Sequence, residues 1–216
     1  MFKFDFFTYL NNLPGQFDTL PVKNSHKNIV TLAAVEEALR VRAAYSVYRS
    51  VLLGMAKAKG TVSSKEIFNE IYQQDQVTFA TFHLVYYTVW SASRHLAKGE
   101  IKCPVLLSHL RSLVTLYGLT ELARDSSPLY DCGYLQPGAS QQIFEGIKSL
   151  TAQLRPQYIS LVEGFDIPDF VLNSAIGNSY GDIYENYMTL AANSRLNRTP
   201  VPKGMEVMLP ILTGKL

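Results

Sequence analysis

Few residue types in this sequence could do chemistry: four histidines, two cysteines and a small number of acids that are paired or sit in motifs. His83 stands in Phe82-His-Leu-Val-Tyr-Tyr87, where it could act as a ligand or a base. The apolar residues on either side favour a packed histidine with one local hydrogen bond. His95 falls near a predicted helix end, where a positive ring suits the helix dipole, and His109 reads as packing. No carboxylate stands three or four residues from any of these three in a way that would build a dyad. Glu36 and Glu37 are adjacent acids in a first helical turn, a placement the dipole alone explains. Glu185, inside Tyr184-Glu-Asn-Tyr187, reads as structural, an acid for an ion pair at an interface.

The patterns of organised catalysis are absent. There is no glycine-rich phosphate loop, no Gly-x-Ser-x-Gly and no His-Glu-x-x-His. Cys103 and Cys132 make no Cys-x-x-Cys and have no histidine at metal spacing, so zinc is not expected. Two lone thiols suit a reducing compartment. No catalytic, cofactor-binding or metal-binding residue is therefore assigned. The net charge of +2, from 20 basic and 18 acidic residues without a basic run, gives no footprint for nucleic acid. No apolar run approaches the about 18 residues that span a bilayer. Met1-Phe-Lys-Phe-Asp-Phe-Phe7 is aromatic, but Lys3 and Asp5 interrupt it, so it is no secretory signal.

The elements that would have to position these residues are helices. The hydrophobic fraction is 47% and the charged fraction 18%, and a chain of this length can bury roughly 70% of its unfolded surface. Leu32, Val35, Leu39, Ala43, Val47 and Val51 recur at helical spacing, and Val41, Tyr45, Tyr48, Leu52 and Met55 form a second stripe. Two stripes predict a helix from Leu32 to Lys59 packed on two sides, with Glu36, Arg40 and Arg49 at its wet edges and Gly60 as its stop. Ser63-Ser-Lys-Glu66 reads as a capping box that opens a helix reaching His95 or Lys98, with Gly99 as terminator and a deeply buried middle from Val77 to Trp90. Pro104 suits the first position of a third helix running to Arg124. Residues 126–138 read as a loop. A fourth helix is predicted over Ser140–Glu163, kinked at Pro156. Asp166 caps a short helix through Pro168, Asn178-Ser-Tyr-Gly181 breaks it, and Asp182 caps a last helix to Asn193. The tail from Thr199, with Pro200, Pro202 and Pro210, reads as irregular. The fold class is all-α, a bundle with antiparallel neighbours.

Several short runs, in order, resemble one family. They are Tyr9-Leu-Asn-Asn-Leu-Pro14, Glu37-Ala-Leu-Arg-Val-Arg-Ala-Ala44, the segment at His83, Leu116-Tyr-Gly-Leu119 and Leu154 to Leu172, followed by Tyr184-Glu-Asn-Tyr187, Ser194-Arg-Leu-Asn197 and the terminal Gly214-Lys-Leu216. This succession resembles the C-terminal helical domain of the peroxisomal acyl-CoA oxidases. The resemblance divides the chain into a linker or remnant over 1–27, the helical domain over 28–198 and a tail over 199–216.

The resemblance implies an FAD-dependent first step of fatty-acid β-oxidation. A glutamate base takes the α-proton of an acyl-CoA, the flavin takes the β-hydride, and oxygen returns the flavin to its oxidised form with release of hydrogen peroxide. That glutamate and most flavin and acyl-CoA contacts precede the Tyr-Leu-Asn linker in the family. The resemblance therefore implies that this chain alone holds no FAD and is inactive. It implies a homodimer, or a heterodimer with a full-length acyl-CoA oxidase. Some family members also bind a nucleotide at the dimer interface near the helix that carries His83, but no residue here can be matched to it. Gly214, Lys215 and Leu216 form a small–basic–Leu end that a peroxisomal import receptor reads as an address, with glycine a weak choice at its first place. Three readings stand: the C-terminal domain of an oxidase, a stand-alone partner that regulates a full-length oxidase, and an unrelated helical scaffold. The aromatic start favours the first two, because such side chains normally lie against a partner.

Overall fold

Thr31 opens the helix around which the first part of the chain is built. Its hydroxyl accepts from the Ala34 N–H at 3.3 Å, which satisfies one of the four donors a helix start leaves open. The computed structural model describes residues 5–17, 19–24, 26, 28–53, 63–177, 181–199, 201 and 203–214. They form two compact units, Met1–Pro156 and Gln157–Leu216. Among the described residues there is no strand, as the periodicity predicts.

In the first unit a 3₁₀ turn (Asp5–Leu10) and α1 (Leu13–Phe17) precede α2 (Leu32–Val47). The α2 ladder widens into a π-helical stretch over Tyr48–Leu53. The next helix begins as a short α3 (Ser64–Glu66), passes through a π stretch (Ile67–Ile71), breaks at Tyr72 and resumes as α4 (Gln73–Ala97). Half of the predicted capping box forms, with the Glu66 N–H donating to Ser63 Oγ at 3.2 Å. Helix α5 covers Pro104–Arg124, with Pro104 in its first turn. The short α6 (Ser127–Asp131) and then α7 (Ala139–Leu154) complete the unit. Helix α2 packs against α4, α5 and α6, and α5 packs against α4 and α7.

This arrangement buries the middle of both stripes of α2. Val35, Leu39, Ala43 and Val41 are at most 2% exposed. Between them lies Arg42, 1% exposed. Its Nη1 donates to the carbonyls of Glu121 at 2.7 Å and Asp125 at 2.8 Å, at the end of α5. Its guanidinium carbon sits 4.3 Å from the centroid of the Phe82 ring on α4. Burial pulls its pKa down from the usual guanidinium value to about 10, opposed by Asp125 and Glu121, so it is still a cation at neutral pH.

Several expectations are corrected here. The middle of α4 is not deep: Val77, Leu84 and Tyr87 are 57%, 62% and 46% exposed, while Phe82, Val85, Tyr86 and Val89 are buried. Only one side of α4 faces the unit, so apolar density alone did not mark depth. The predicted loop at 126–138 contains α6 and part of the core. Asp125 accepts from the Ser127 N–H at 3.0 Å and starts the turn, and Leu129, Cys132 and Tyr134 are buried. In the second unit, α8 (Tyr158–Glu163) follows a 3₁₀ turn at Arg155–Gln157, which interrupts the fourth helix at Pro156. Asp166 does not cap α9 (Asp169–Leu172). It has φ of 51°, and Pro168 holds the cap position. Asp182 precedes α10 (Ile183–Asn193) without a side-chain capping bond. The tail is not irregular throughout, because α11 (Met205–Leu212) carries Pro210 within it. The expectations at Gly54, Met55, Gly60, Asn178 to Tyr180, Pro200 and Pro202 lie outside the described residues, as do the side chains of Val51 and Leu52.

Gly118 on α5 lets three helices meet. A Cβ there would press on Val35 Cγ1 of α2, and would lie 3.5 Å from both Leu39 Cδ1 and Val89 Cγ2. Val35 is fully buried and β-branched, so it cannot swing aside. Gly118→Ala should lose about 1–3 kcal/mol to overpacking, more than the roughly 1 kcal/mol gained in helix propensity. A urea midpoint below that of the parent chain is the expected outcome. An unchanged or higher midpoint would refute the close crossing.

Candidate functional site

A polar concavity of the first unit lies where the entering chain crosses α2 and α4. It is a cleft of about 760 Å³ lined by Thr8, Tyr9, Gln16, Arg40, Tyr86, Trp90 and Arg94. Helical spacing places Tyr86, Trp90 and Arg94 in a row along α4, four residues apart. Gln16, at the end of α1, ties the entering segment together by donating to the carbonyls of Tyr9 at 3.1 Å and Asn11 at 2.8 Å.

Tyr9 is the anchor of this seam. It is 7% exposed, and its hydroxyl shares a 2.5 Å hydrogen bond with His83 Nδ1. Its ring stacks on His83 at 5.8 Å and meets Tyr86 edge-on at 5.1 Å. Burial pushes the Tyr9 phenol well above its usual range, and pushes Tyr86 up to about 12. Both phenols therefore stay protonated at neutral pH. Burial also lowers the pKa of His83, which favours the neutral ring.

Arg40 is held on α2 by Glu37, one helical turn earlier, through bonds of 2.7 and 2.9 Å. The Arg40 hydrogen bond is the main reason the Glu37 carboxyl titrates below its ordinary value, and the same bond raises Arg40. Glu37 is thus a fixed counter-ion and a poor general base. The Arg94 guanidinium carbon lies 5.6 Å from the Trp90 ring centroid, within cation–π range. Phenols, a neutral imidazole, a neutralised arginine and an aromatic-stacked arginine can bind and orient. Burial keeps the Tyr9 phenol protonated even beside His83, so the set provides no activated nucleophile and no acid poised near neutrality.

The other residues singled out in the sequence are scattered. His95 Nδ1 lies 2.8 Å from the Ser91 carbonyl on the exposed end of α4, and His109 is half-buried on α5. Glu36 is half-buried on α2, and neither it nor Glu37 falls in the first turn as expected, because the helix already starts at Leu32. Glu185 is exposed on α10 and makes no ion pair among the described residues. Cys103 is exposed and Cys132 buried. Among the described residues no three His, Cys, Asp or Glu side chains cluster as metal ligands. Gly214 has φ of 66°, whereas Lys215 and Leu216 lie outside the described residues, as do Phe2 and Phe4 and the side chains of Phe6 and Phe7. Sequence reasoning missed the cleft. The Glu37–Arg40 spacing and the Tyr86–Trp90–Arg94 row were legible signals, but the approach of Tyr9 to His83 across 74 residues was not.

His83 gives this seam a pH dependence whose sign is fixed. Its folded pKa lies below the ordinary 6.5, so the unfolded chain binds the proton more readily. Its contribution to stability is full above pH 6.5 and is lost as pH falls through the folded value. His83 is only half-buried, so the effect is small. Urea midpoints measured from pH 8 to pH 5 should fall more steeply for the parent than for His83→Gln. Parallel curves would contradict this.

The family model described as acyl-CoA oxidase matches residues 31–213. Peroxisomal acyl-coenzyme A oxidase 1 of Rattus norvegicus is 29% identical over 215 residues, covering 97% of this chain and 32% of the relative. The chain thus spans about a third of the length of the curated relatives it matches. The crystal structure of acyl-CoA oxidase 3 from Yarrowia lipolytica superposes with a TM-score of 0.76 at 23% identity, covering 95% of this chain and 29% of that one. Acyl-CoA oxidase-2 of Caenorhabditis elegans, in a structure bound with FAD, ascaroside-CoA and ATP, gives a TM-score of 0.74 at 17% identity, covering 99% and 31%. These two likenesses show a shared all-α fold. The match over residues 31–213 shows more: the chain belongs to the acyl-CoA oxidase family.

Proposed function

We propose that this chain serves as the C-terminal helical domain of a peroxisomal acyl-CoA oxidase, with residues 1–27 leading in and 199–216 forming the tail. Its role is to pack against the flavin-bearing part of the oxidase and help complete a dimer. The observation that carries this reading is the apolar surface of the second unit. Phe165, Phe170, Tyr184, Met188 and Leu196 are 76%, 83%, 88%, 71% and 82% exposed, and of the described hydrophobic residues in that unit only Ala175 is buried. An exposed apolar surface on this scale marks an interaction site. The outward Val77, Leu84 and Tyr87 of α4, and Leu113 and Tyr117 of α5, support a second contact on the first unit. Among the described residues no helix is long and apolar enough to cross a membrane.

The cleft beside Tyr9 does not have the lining of an FAD pyrophosphate site. No glycine among the described residues lines it, so the close backbone approach that a pyrophosphate uses is missing there. Of its two arginines, Arg40 is neutralised by Glu37. The part this chain plays in oxidising a fatty acyl-CoA is therefore positional, and the base and flavin belong to the rest of the enzyme. The peroxisomal names of the relatives support a peroxisomal location, with Gly214, Lys215 and Leu216 as the address for the import receptor.

Three experiments test this reading. The purified chain should show no flavin absorbance and release no peroxide from a fatty acyl-CoA, and it should co-purify with a flavoprotein oxidase when the two are expressed together. Stoichiometric yellow cofactor, steady peroxide release from the lone chain, or failure to associate with an oxidase would sink it. A fluorescent protein carrying the last dozen residues should enter peroxisomes and disperse when Leu216 is deleted. Diffuse fluorescence from the intact tail would show that the address does not act alone.

A further inference from the structure

The outward side of α4 lacks the charges that a solvated helix face normally carries. From Gln76 to Ser93 there is no Asp, Glu, Lys or Arg, in a chain whose charged fraction is 18%. Val77 and Leu84 are 57% and 62% exposed. Ala80, Thr81 and Thr88 are exposed on the same side, and half-buried Ser91 continues it. Loss of charge with apolar side chains kept is the composition of an interface core. The hydroxyls here need no water either. Thr81 Oγ1 donates to the Val77 carbonyl at 2.8 Å and Thr88 Oγ1 to the Leu84 carbonyl at 2.9 Å, so covering them leaves no donor unmet.

The spacing of this stripe suits another helix. Val77, Leu84 and Ser91 recur at every seventh residue, with Ala80–Thr81 and Tyr87–Thr88 falling between them. That alternation of three and four is the seam along which two helices cross at a shallow angle.

Two features select the occupant. The stripe is self-complementary about Leu84. Turned antiparallel, Leu84 meets the partner's Leu84, Val77 meets the partner's Ser91, and Thr81 meets the partner's Tyr87. Away from the centre, each large side chain then stands opposite a small one. The charges beyond the two ends are complementary in the same sense. Glu70 lies in the π stretch just before α4, and Lys98 caps its end. Both are exposed, and neither makes an ion pair among the described residues. Each stands seven residues beyond one end of the stripe, so the same two-fold turn sets Glu70 toward the partner's Lys98 twice. A parallel pair would set like charges together, and the helix dipoles would also oppose it.

We propose that α4 pairs with α4 of a second copy of this chain, antiparallel about a two-fold axis at Leu84. The proposal rests on the chain's part in completing a dimer, and it names the partner and the seam. One helix pair covers less than the about 800 Å² per partner of a standard interface, so the association is reversible and concentration-dependent.

Sedimentation equilibrium of the full chain should show monomer and dimer in exchange. Leu84→Lys places two like charges on the axis and should weaken the dimer at least about tenfold. Its far-ultraviolet circular dichroism should match the parent, because Leu84 is an exposed residue. Glu70→Lys and Lys98→Glu should each weaken the dimer about threefold or more at low salt, and the two changes combined should restore it. With the exposed thiol removed by Cys103→Ser, Leu84→Cys should give a covalent dimer on oxidation, and Val77→Cys should not. A monomer at all concentrations, a dimer indifferent to Leu84→Lys, helix lost in that variant, or a charge-reversed pair no tighter than its single variants would each overturn the proposal. Co-expression with a flavoprotein oxidase separates the two readings. A chain that binds the oxidase but never pairs with itself refutes this seam alone. A chain that pairs as described but binds no oxidase upholds the seam and counts against the oxidase role.

Discussion

The first unit depends on one buried cation. Arg42 sits in the middle of α2 with 1% of its surface exposed. It closes the last carbonyls of α5 with two hydrogen bonds and lies on the Phe82 ring of α4. Three helices therefore meet at one side chain. Burying a charge is expensive unless it is well partnered. The negative end of a helix dipole and an aromatic face supply part of that partnership, while Nε and Nη2 have no hydrogen-bond partner. With α2 wrapped by α4, α5 and α6, there is no side on which Arg42 can reach water without undoing a helix contact. Gly118 makes the same junction possible from the other direction, because only a residue without a Cβ lets α5 come so close to Val35.

The two units differ in how they meet the hydrophobic demand. The first closes its own core, with Val35, Leu39, Val89, Leu119, Leu122 and Leu129 fully buried. The second is helical but leaves Phe170, Tyr184 and Leu196 more than 80% exposed. Helices of this length gain most of their stability from packing an apolar face. A unit with so little internal burial belongs against something else, which suits a chain spanning about a third of its relatives' length.

Polar chemistry in the first unit is arranged for holding. Tyr9, Tyr86 and Tyr134 are kept protonated by burial. Glu37 is locked to Arg40, and the Arg49–Asp131 ion pair ties the end of α2 to α6. Each of these groups is held in one protonation state by burial or engaged in an ion pair. General acid–base work needs the opposite, a group whose pKa lies close to the working pH.

The sequence by itself determined the class of the fold and many helix ends, because those follow from local rules. Pro104 begins α5, Arg124 ends it, Asn193 ends α10, and Lys98 with Gly99 ends α4, as capping and backbone chemistry require. Ordered motifs also revealed the family. Only the tertiary structure decided which side of each helix is wet. Val77 and Leu84 are as apolar as Val85 and Val89, yet they face outward, since burial depends on which neighbour a helix meets. It also decided that Arg42, one of three arginines between positions 40 and 49, is the buried one. Asp166 looked like a cap but adopts positive φ, and the loop before α7 folds into the core through Leu129 and Tyr134. The cleft joins residues from segments far apart in the chain, Tyr9 with Tyr86. Periodicity reports only what lies within a turn or two, so such encounters are written in the packing of helices and not in any local run of residues.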